Sequence, residues 1–169
     1  LPKYFVEIRQ LNYTHIFLAK SVLVQFVMLM LTPFTGRFHD VRHPALFTGV
    51  SFAILAAYPL LLLVSTFGSG LGNLFFIYAA YAVFGVAMSG IIVSWNISSI
   101  FFAGEEDASM YQSVHVTLTG VRGLLAPALG FVVLKLFSYR VVFALSSCFM
   151  LAAAMLCFRL YRHRNLKES

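Results

Sequence analysis

Charged residues are scarce in this sequence: 11% of its 169 residues are Asp, Glu, Lys or Arg, against 60% hydrophobic and 16% aromatic, and the mean hydropathy is +0.87. Soluble globular chains carry about 25% charged residues, so water is not the main solvent of this chain and a soluble domain is excluded. Acids are scarcer still. The six are Glu7, Asp40, Glu105, Glu106, Asp107 and Glu168, and all fall outside the long apolar runs. Cysteine is limited to Cys148 and Cys157, too far apart on one run to form a disulfide and without metal-ligand partners, so both read as small hydrophobes. His39, Asp40 and His43 offer three candidate ligands on one short turn but no fourth, and neither a metal nor another cofactor is expected. Paired acids, a histidine-rich set and a Ser/Lys dyad are all missing from the apolar runs, so the chain reads as a non-enzyme. The net charge of +6 sits mainly in loops and tail and matches no base-reading motif, so nucleic acid is not an expected partner.

What the sequence does have is apolar length. A helix crossing a bilayer needs about 20 mostly apolar residues, and five windows qualify: 14–34, 45–65, 74–102, 112–136 and 140–158. None reads as an alternating barrel strand, and lipid forces backbone amides to bond internally, so the expectation is an all-α, polytopic transmembrane bundle. Residues 1–13 read as the end of a preceding span and an external link, with Asn12 or Thr14 capping the next helix. Segments 35–44 and 103–111 read as cytoplasmic loops, the second acidic, and 159–169 as a basic cytoplasmic tail. One side then collects Arg37, Arg42, Arg159, Arg162, Arg164 and Lys167, against Lys3, Arg9, Lys135 and Arg140 opposite. That bias places the C-terminus in the cytoplasm, with the plasma or bacterial inner membrane as the expected location. The cluster from Arg159 to Lys167 reads as a stop-transfer flank that also suits anionic headgroups. Because five spans put the N-terminus outside and the chain opens on Leu1 without an exporting signal, it reads as part of a larger protein.

The spans differ in polarity. The second and fifth are the most uniformly apolar and read as lipid-facing or outer support helices. In the third, Tyr78, Tyr81, Gly85, Ser89, Ile92, Asn96 and Ser99 recur at three- or four-residue intervals and share one helical face. Two readings of that face stay open, the lining of a wet cavity and a helix-packing seam of small residues. Trp95 lies near the stripe and also fits an interfacial anchor. Lys20, in the outer part of the first span, reads as a snorkelling cation, and Gln25 as a packing or pathway residue. His115 reads either as a loop holder or as a proton relay.

Arg122 is the sharpest residue. It lies in the run Thr119-Gly120-Val121-Arg122-Gly123-Leu124-Leu125-Ala126-Pro127-Ala128-Leu129-Gly130, roughly 12–16 Å into the fourth window at 1.5 Å per residue. A cation near the bilayer centre costs at least about 2.5–3.5 kcal/mol. Three partners are open: helix carbonyls and hydroxyls, an acid from outside this chain, or an anionic solute. Gly120, Gly123 and Gly130 permit close helix contact, and Pro127 bends the helix and frees a carbonyl.

Segment 35–44 carries a second pattern. Gly36 suits a tight reversal, Arg37 and Arg42 supply positive charge, and Pro44 suits the first position of the next helix. The Asp40 carboxylate is suited to accept from amides at a helix N-terminus or to pair with an arginine, a contact that forms in one conformational state and breaks in another.

On these residues the chain resembles the C-terminal half of a major facilitator superfamily transporter. Gly36 and Asp40, followed by basic residues, match that family's loop signature of Gly, three residues and Asp, although Val41 stands where Arg or Lys is common and His43 where Gly is. Arg122-Gly123 with Pro127 and Gly130 resembles part of the family's eleventh helix. The resemblance implies that the spans are helices eight to twelve, that residues 1–5 are the remnant of the seventh, and that a missing N-terminal half completes a twelve-helix fold working by alternating access. It also implies that the third span lines the cavity while the second and fifth support it. The expected activity is membrane transport of a small polar or anionic solute. Arg122 would recognise charge, Asn96, Tyr81, Tyr78 and Gln25 would bind solute, and Gly36, Arg37 and Asp40 would form a conformational latch. The expected partners are the lipid bilayer, the missing half and the small-molecule substrate. Protons are a candidate coupling ion, although no acid lies within these spans to carry them. The competing expectation is a non-transporting membrane assembly or receptor subunit, in which the polar stripe and Arg122 serve helix association.

Overall fold

The structure, a computed structural model, describes residues 4–8, 11–67, 70–103 and 107–168. Leu1 to Lys3, Arg9, Glu105 and Glu106 lie outside the described residues, as do the side chains of Glu7, Ser99, Arg164, Lys167 and Glu168. In chain order the elements are a π-helical turn Tyr4–Ile8, α1 (Tyr13–Phe17), a π-helical stretch Leu18–Leu23, α2 (Val24–Asp40), α3 (Pro44–Ser65), α4 (Gly70–Ala103), α5 (Ala108–Leu136) and α6 (Tyr139–Glu168). No strand occurs among the described residues. Residues Tyr13–Asp40 run as one rod, and with the four helices that follow they make five elements long and apolar enough to cross a membrane. The protein is an all-α, polytopic transmembrane bundle, an integral membrane protein in which every span satisfies its own backbone amides.

Helix starts follow local chemistry. Asn12 caps α1, its Oδ1 accepting from the Thr14 amide at 3.2 Å. Pro44 occupies the first turn of α3, where its missing N–H costs nothing. The cap there is His43, whose Nδ1 accepts from the Ala45 amide at 3.1 Å.

The segment expected as a loop at 35–44 is mostly helix. α2 continues through Asp40, so Gly36 is an interior helical residue and not the point of reversal. The turn is confined to 41–43. The physical reason is tertiary: the Phe38 and His39 rings pack on Phe47 of α3, at centroid distances of 6.0 and 5.0 Å. His39 is thereby buried, and the last turn of α2 is held helical. The acidic loop is likewise shorter than expected, because α5 begins at Ala108.

α3 is sandwiched between α4 and α6, and α4 lies against α2 on another face. Its uniform apolarity therefore marks a helix enclosed on two sides as well as facing lipid. Small residues set these approaches. A Cβ on Gly49 would lie 2.8 Å from the Phe158 ring of α6, and one on Gly85 would lie 3.0 Å from Val27 Cβ and 3.1 Å from the Val24 carbonyl oxygen of α2. Gly90 meets Ser51 of α3 more tightly still. Hydroxyls add directional contacts: Thr48 pairs with Ser94 across α3 and α4, and Ser147 Oγ donates to the Ala56 carbonyl across α6 and α3 at 2.9 Å.

At the end of the bundle opposite the 41–43 turn, Tyr4 and Phe5 are 2% and 1% exposed. They fill the space between helices, the Tyr4 ring packing tilted against Tyr139 and edge-on against Phe143 at 4.9 and 5.5 Å, and Phe5 tilted against Tyr81 at 6.2 Å. Arg140 closes the same end, its Nε donating to Thr66 Oγ1 at 3.1 Å with the guanidinium 4.4 Å over Phe67.

α5 stands apart, with no buried residue along its whole length. A Cβ on Gly120, Gly123 or Gly130 would meet nothing within 4 Å, so the close packing expected of these glycines is not made with the described residues. The contrast is measurable. Gly85→Leu should destabilise the bundle by about 1–3 kcal/mol through overpacking against α2, whereas Gly123→Ala should be neutral or stabilising by up to about 1 kcal/mol through helix propensity. Unfolding in mixed detergent followed by circular dichroism separates the two.

Candidate functional site

The stretch of α4 nearest α5 and the first half of α5 border an open cleft of about 220 Å3, lined by Ile92, Trp95, Asn96, Gln112, His115, Val116 and Thr119. Helical spacing explains the composition. Gln112, His115, Val116 and Thr119 follow one another at three- and four-residue steps, and Arg122 continues that face one turn further.

Trp95 is the centre of the arrangement. Its ring lies 6.1 Å from that of His115 at an interplanar angle of 58°, and the Arg122 guanidinium carbon sits 5.0 Å from its centroid. Arg122 is midway between the two ends of α5, about 21 Å from the helix start at 1.5 Å per residue. The helix begins four residues before the expected window of 112–136. Among the described residues its guanidinium makes no hydrogen bond or ion pair, so the carbonyl-and-hydroxyl solution is not the one adopted; its partner is the indole face. Gln112 Oε1 is buried without a hydrogen-bond partner, while Asn96 Nδ2 donates back to the Ile92 carbonyl at 2.8 Å. No acid lines the cleft.

Of the residues expected to bind solute, the structure places Asn96 in the lining of the cleft and Arg122 outside that lining, over the Trp95 ring, and leaves the others elsewhere. Tyr81 is buried in the core beside Phe5 and Tyr58, about 22 Å along the helix from Asn96 at 1.5 Å per residue. Tyr78 OH is hydrogen bonded to His15 Nδ1 at 3.1 Å at that same far end. Gln25 is exposed on α2 and does not line the cleft. The polar stripe of α4 is thus divided: Gly85 and Ser89 are a packing seam against α2, with Thr35 Oγ1 reaching the Ser89 carbonyl at 3.4 Å, and Ile92 and Asn96 line the cleft. At the other expected site, Arg37 and Asp40 are exposed on the last turn of α2 and form no ion pair among the described residues, and Arg42 lies 5.8 Å over Phe38. Gln112 and Thr119 were missed by sequence reasoning, although their spacing from Arg122 was a signal able to find them.

Compared with known families, curated proteins and solved structures, the chain matches none.

The cleft depends on α5 starting where it does, and Asp107 fixes that start. Its Oδ1 accepts from the Ser109 amide at 2.9 Å and its Oδ2 from the Ser109 hydroxyl at 2.8 Å. These bonds, the backbone one foremost, hold the carboxyl below its ordinary value of 3.8. The ionised form is the capping form, so the cap is complete above the ordinary carboxylate range and is lost as pH falls through the lowered folded value. Amide exchange at Ser109 should therefore lose protection only in acid. Asp107→Ala should abolish that protection at every pH, and Asp107→Asn should make it independent of pH.

Proposed function

We propose that this chain belongs to a secondary transporter of major facilitator type, as part of its C-terminal half, and that it moves a small polar or anionic solute by alternating access rather than catalysing a reaction. The observation that carries the proposal is Arg122, a permanent cation at the midpoint of a long apolar helix, stacked on Trp95 beside an open cleft that Asn96, Gln112, His115 and Thr119 line together with apolar side chains and no carboxylate. A cation–π contact is worth about 0.5–2 kcal/mol, which falls short of the at least about 2.5–3.5 kcal/mol that mid-membrane placement costs. An anion entering the cleft supplies the balance when it binds.

Three further features support the reading. The α4–α5 pair, as helices ten and eleven, lines the cleft, while α3 and α6, as nine and twelve, pack on each other. Arg37 and Asp40 are exposed where a latch to the other half would need them. α5, with no buried residue, has its glycine-bearing face open to a second half. In this reading the 41–43 turn and the C-terminus are cytoplasmic, in a plasma or bacterial inner membrane. The uncovered α5 also favours a second reading, a non-transporting assembly subunit whose partner helix covers it.

Proteoliposomes containing the full-length protein decide between them. Gradient-driven uptake of a small anion, lowered about tenfold or more by Arg122→Gln, lowered less by Asn96→Ala and unchanged by Tyr78→Phe, is the expected result. Flux indifferent to both cleft substitutions would remove the site assignment. Absence of flux for any solute, with a second membrane protein held against α5, would favour the assembly reading.

A further inference from the structure

We propose that the end of the bundle where the 41–43 turn meets α6 holds the headgroup of an anionic phospholipid, with Arg42, Arg159 and Arg162 on its phosphate and its acyl chains on the apolar stripes that lead up to them. The proposal needs only the membrane bundle and is independent of the transport reading.

Two basic stretches far apart in the chain meet at this end. The His43 ring, half-buried in the turn, lies 5.6 Å from the Tyr161 ring of α6. Arg42 precedes His43 and Arg162 follows Tyr161, so an exposed guanidinium adjoins each side of the contact, and Arg159 adds a third one turn earlier on α6. Among the described residues none of the three makes a hydrogen bond or ion pair. Arg42 lies 5.8 Å from the Phe38 centroid, a contact that consumes none of its N–H donors. Arg140, at the opposite end, is by contrast engaged, donating to Thr66 and lying over Phe67. Asp40 sets one exposed carboxylate against the three guanidiniums, and the Asp107 carboxylate at the start of α5 is committed to Ser109.

The order of side chains along both elements identifies the anion as a lipid. On α6, Leu151, Met155, Arg159 and Arg162 follow at four- and three-residue steps and so share one face, the first two exposed apolar side chains and the last two exposed cations. On α2, the exposed rings of Phe34 and Phe38 lie four residues apart and lead to Arg42 in the turn. Each element runs from apolar surface to cation toward the same end, which is the order of acyl chain and phosphate in a lipid leaflet. A soluble anion engages only the cations, whereas a lipid engages both. Guanidinium forks match phosphate oxygens, and Tyr161 places an amphipathic ring at headgroup level. A zwitterionic headgroup brings its own cation beside its phosphate, so a headgroup of net negative charge is the better match.

The full-length protein in mild detergent, titrated with single phospholipids and followed by native mass spectrometry, provides the test. The probes are phosphatidylglycerol and phosphatidylcholine with identical acyl chains, and inorganic phosphate. Each Lys or Arg near an anionic headgroup contributes about fivefold in affinity. Phosphatidylglycerol should therefore bind with a Kd about tenfold or more below that of phosphatidylcholine. Arg162→Gln should raise the phosphatidylglycerol Kd about fivefold and the double substitution Arg159→Gln, Arg162→Gln about 25-fold. Lys135→Gln, at the opposite end, should leave it unchanged. Tyr161→Leu alters no charge, so diffuse attraction predicts no effect, while a site built on the contact between turn and α6 predicts severalfold weaker binding. Equal binding of the two lipids, equal losses from Lys135→Gln and Arg162→Gln, an unaffected Tyr161→Leu, or displacement of phosphatidylglycerol by equimolar inorganic phosphate would each overturn the proposal.

Discussion

Two glycines on α4 allow the backbones of this bundle to approach more closely than any side chain would permit, and the remaining architecture is arranged around those contacts. Gly85 takes α2 against its backbone, and Gly90 takes Ser51 of α3. Between helices in lipid there is little hydrophobic drive, so association relies on close dispersion contact and on hydroxyl bonds such as Thr48 to Ser94 and Ser147 to Ala56. α3 repeats the device on its far side, where Gly49 receives Phe158 and Cys157 of α6. With these faces of α4 spent on α2 and α3, the stretch from Ile92 to Asn96 is left to α5, and there the large Trp95 ring keeps the two helices from closing. The cleft is what remains when a tightly packed helix meets a neighbour across an aromatic spacer.

The consequence is an inversion of the usual relation between burial and polarity. The most enclosed helix pair, α3 and α4, is largely apolar and bridged by hydroxyls, with Asn73 Oδ1 buried and unpartnered, while the helix with a permanent cation at its midpoint is the least covered. Such a cation has too little stabilisation from one indole face for its depth. On the proposed reading an anion entering the cleft supplies the balance, as a binding site requires and a structural ion pair does not. Gln112 Oε1, on the same helix, is buried without a hydrogen-bond partner, as are Asn73 Oδ1 on α4 and His39 Nε2 on α2.

Much of the fold was legible in the residues and less of the site. Five apolar runs in a chain with 11% charged residues leave one solution in lipid, and the spans appear where the runs do. Arg122 was legible because an ionisable group in the middle of such a run has few neutral explanations. The α4 stripe was ambiguous because Gly and Ser serve equally in a seam and a cavity; neighbours decided that Gly85 and Ser89 do the first and Asn96 the second. Tyr78 and Tyr81 share the helical face of Asn96, but a shared face over fifteen residues spans about 22 Å, so periodicity placed them on one side without placing them at one depth. Gly36 looked like a turn because glycine permits one. The contact of Phe38 and His39 with Phe47, across the turn, kept the helix going.

Composition and periodicity alone determined the solvent, the secondary structure and the number of spans, because each follows from what a single helix needs in order to exist in lipid. Which face of each helix meets which neighbour was decided only by tertiary structure, as were the cap taken by His43, the aromatic plug of Tyr4 and Phe5, and the meeting of Trp95, Gln112, His115 and Arg122 beside one cleft. Those outcomes depend on contacts between residues far apart in the chain, and a one-dimensional pattern carries no term for the distance between helices.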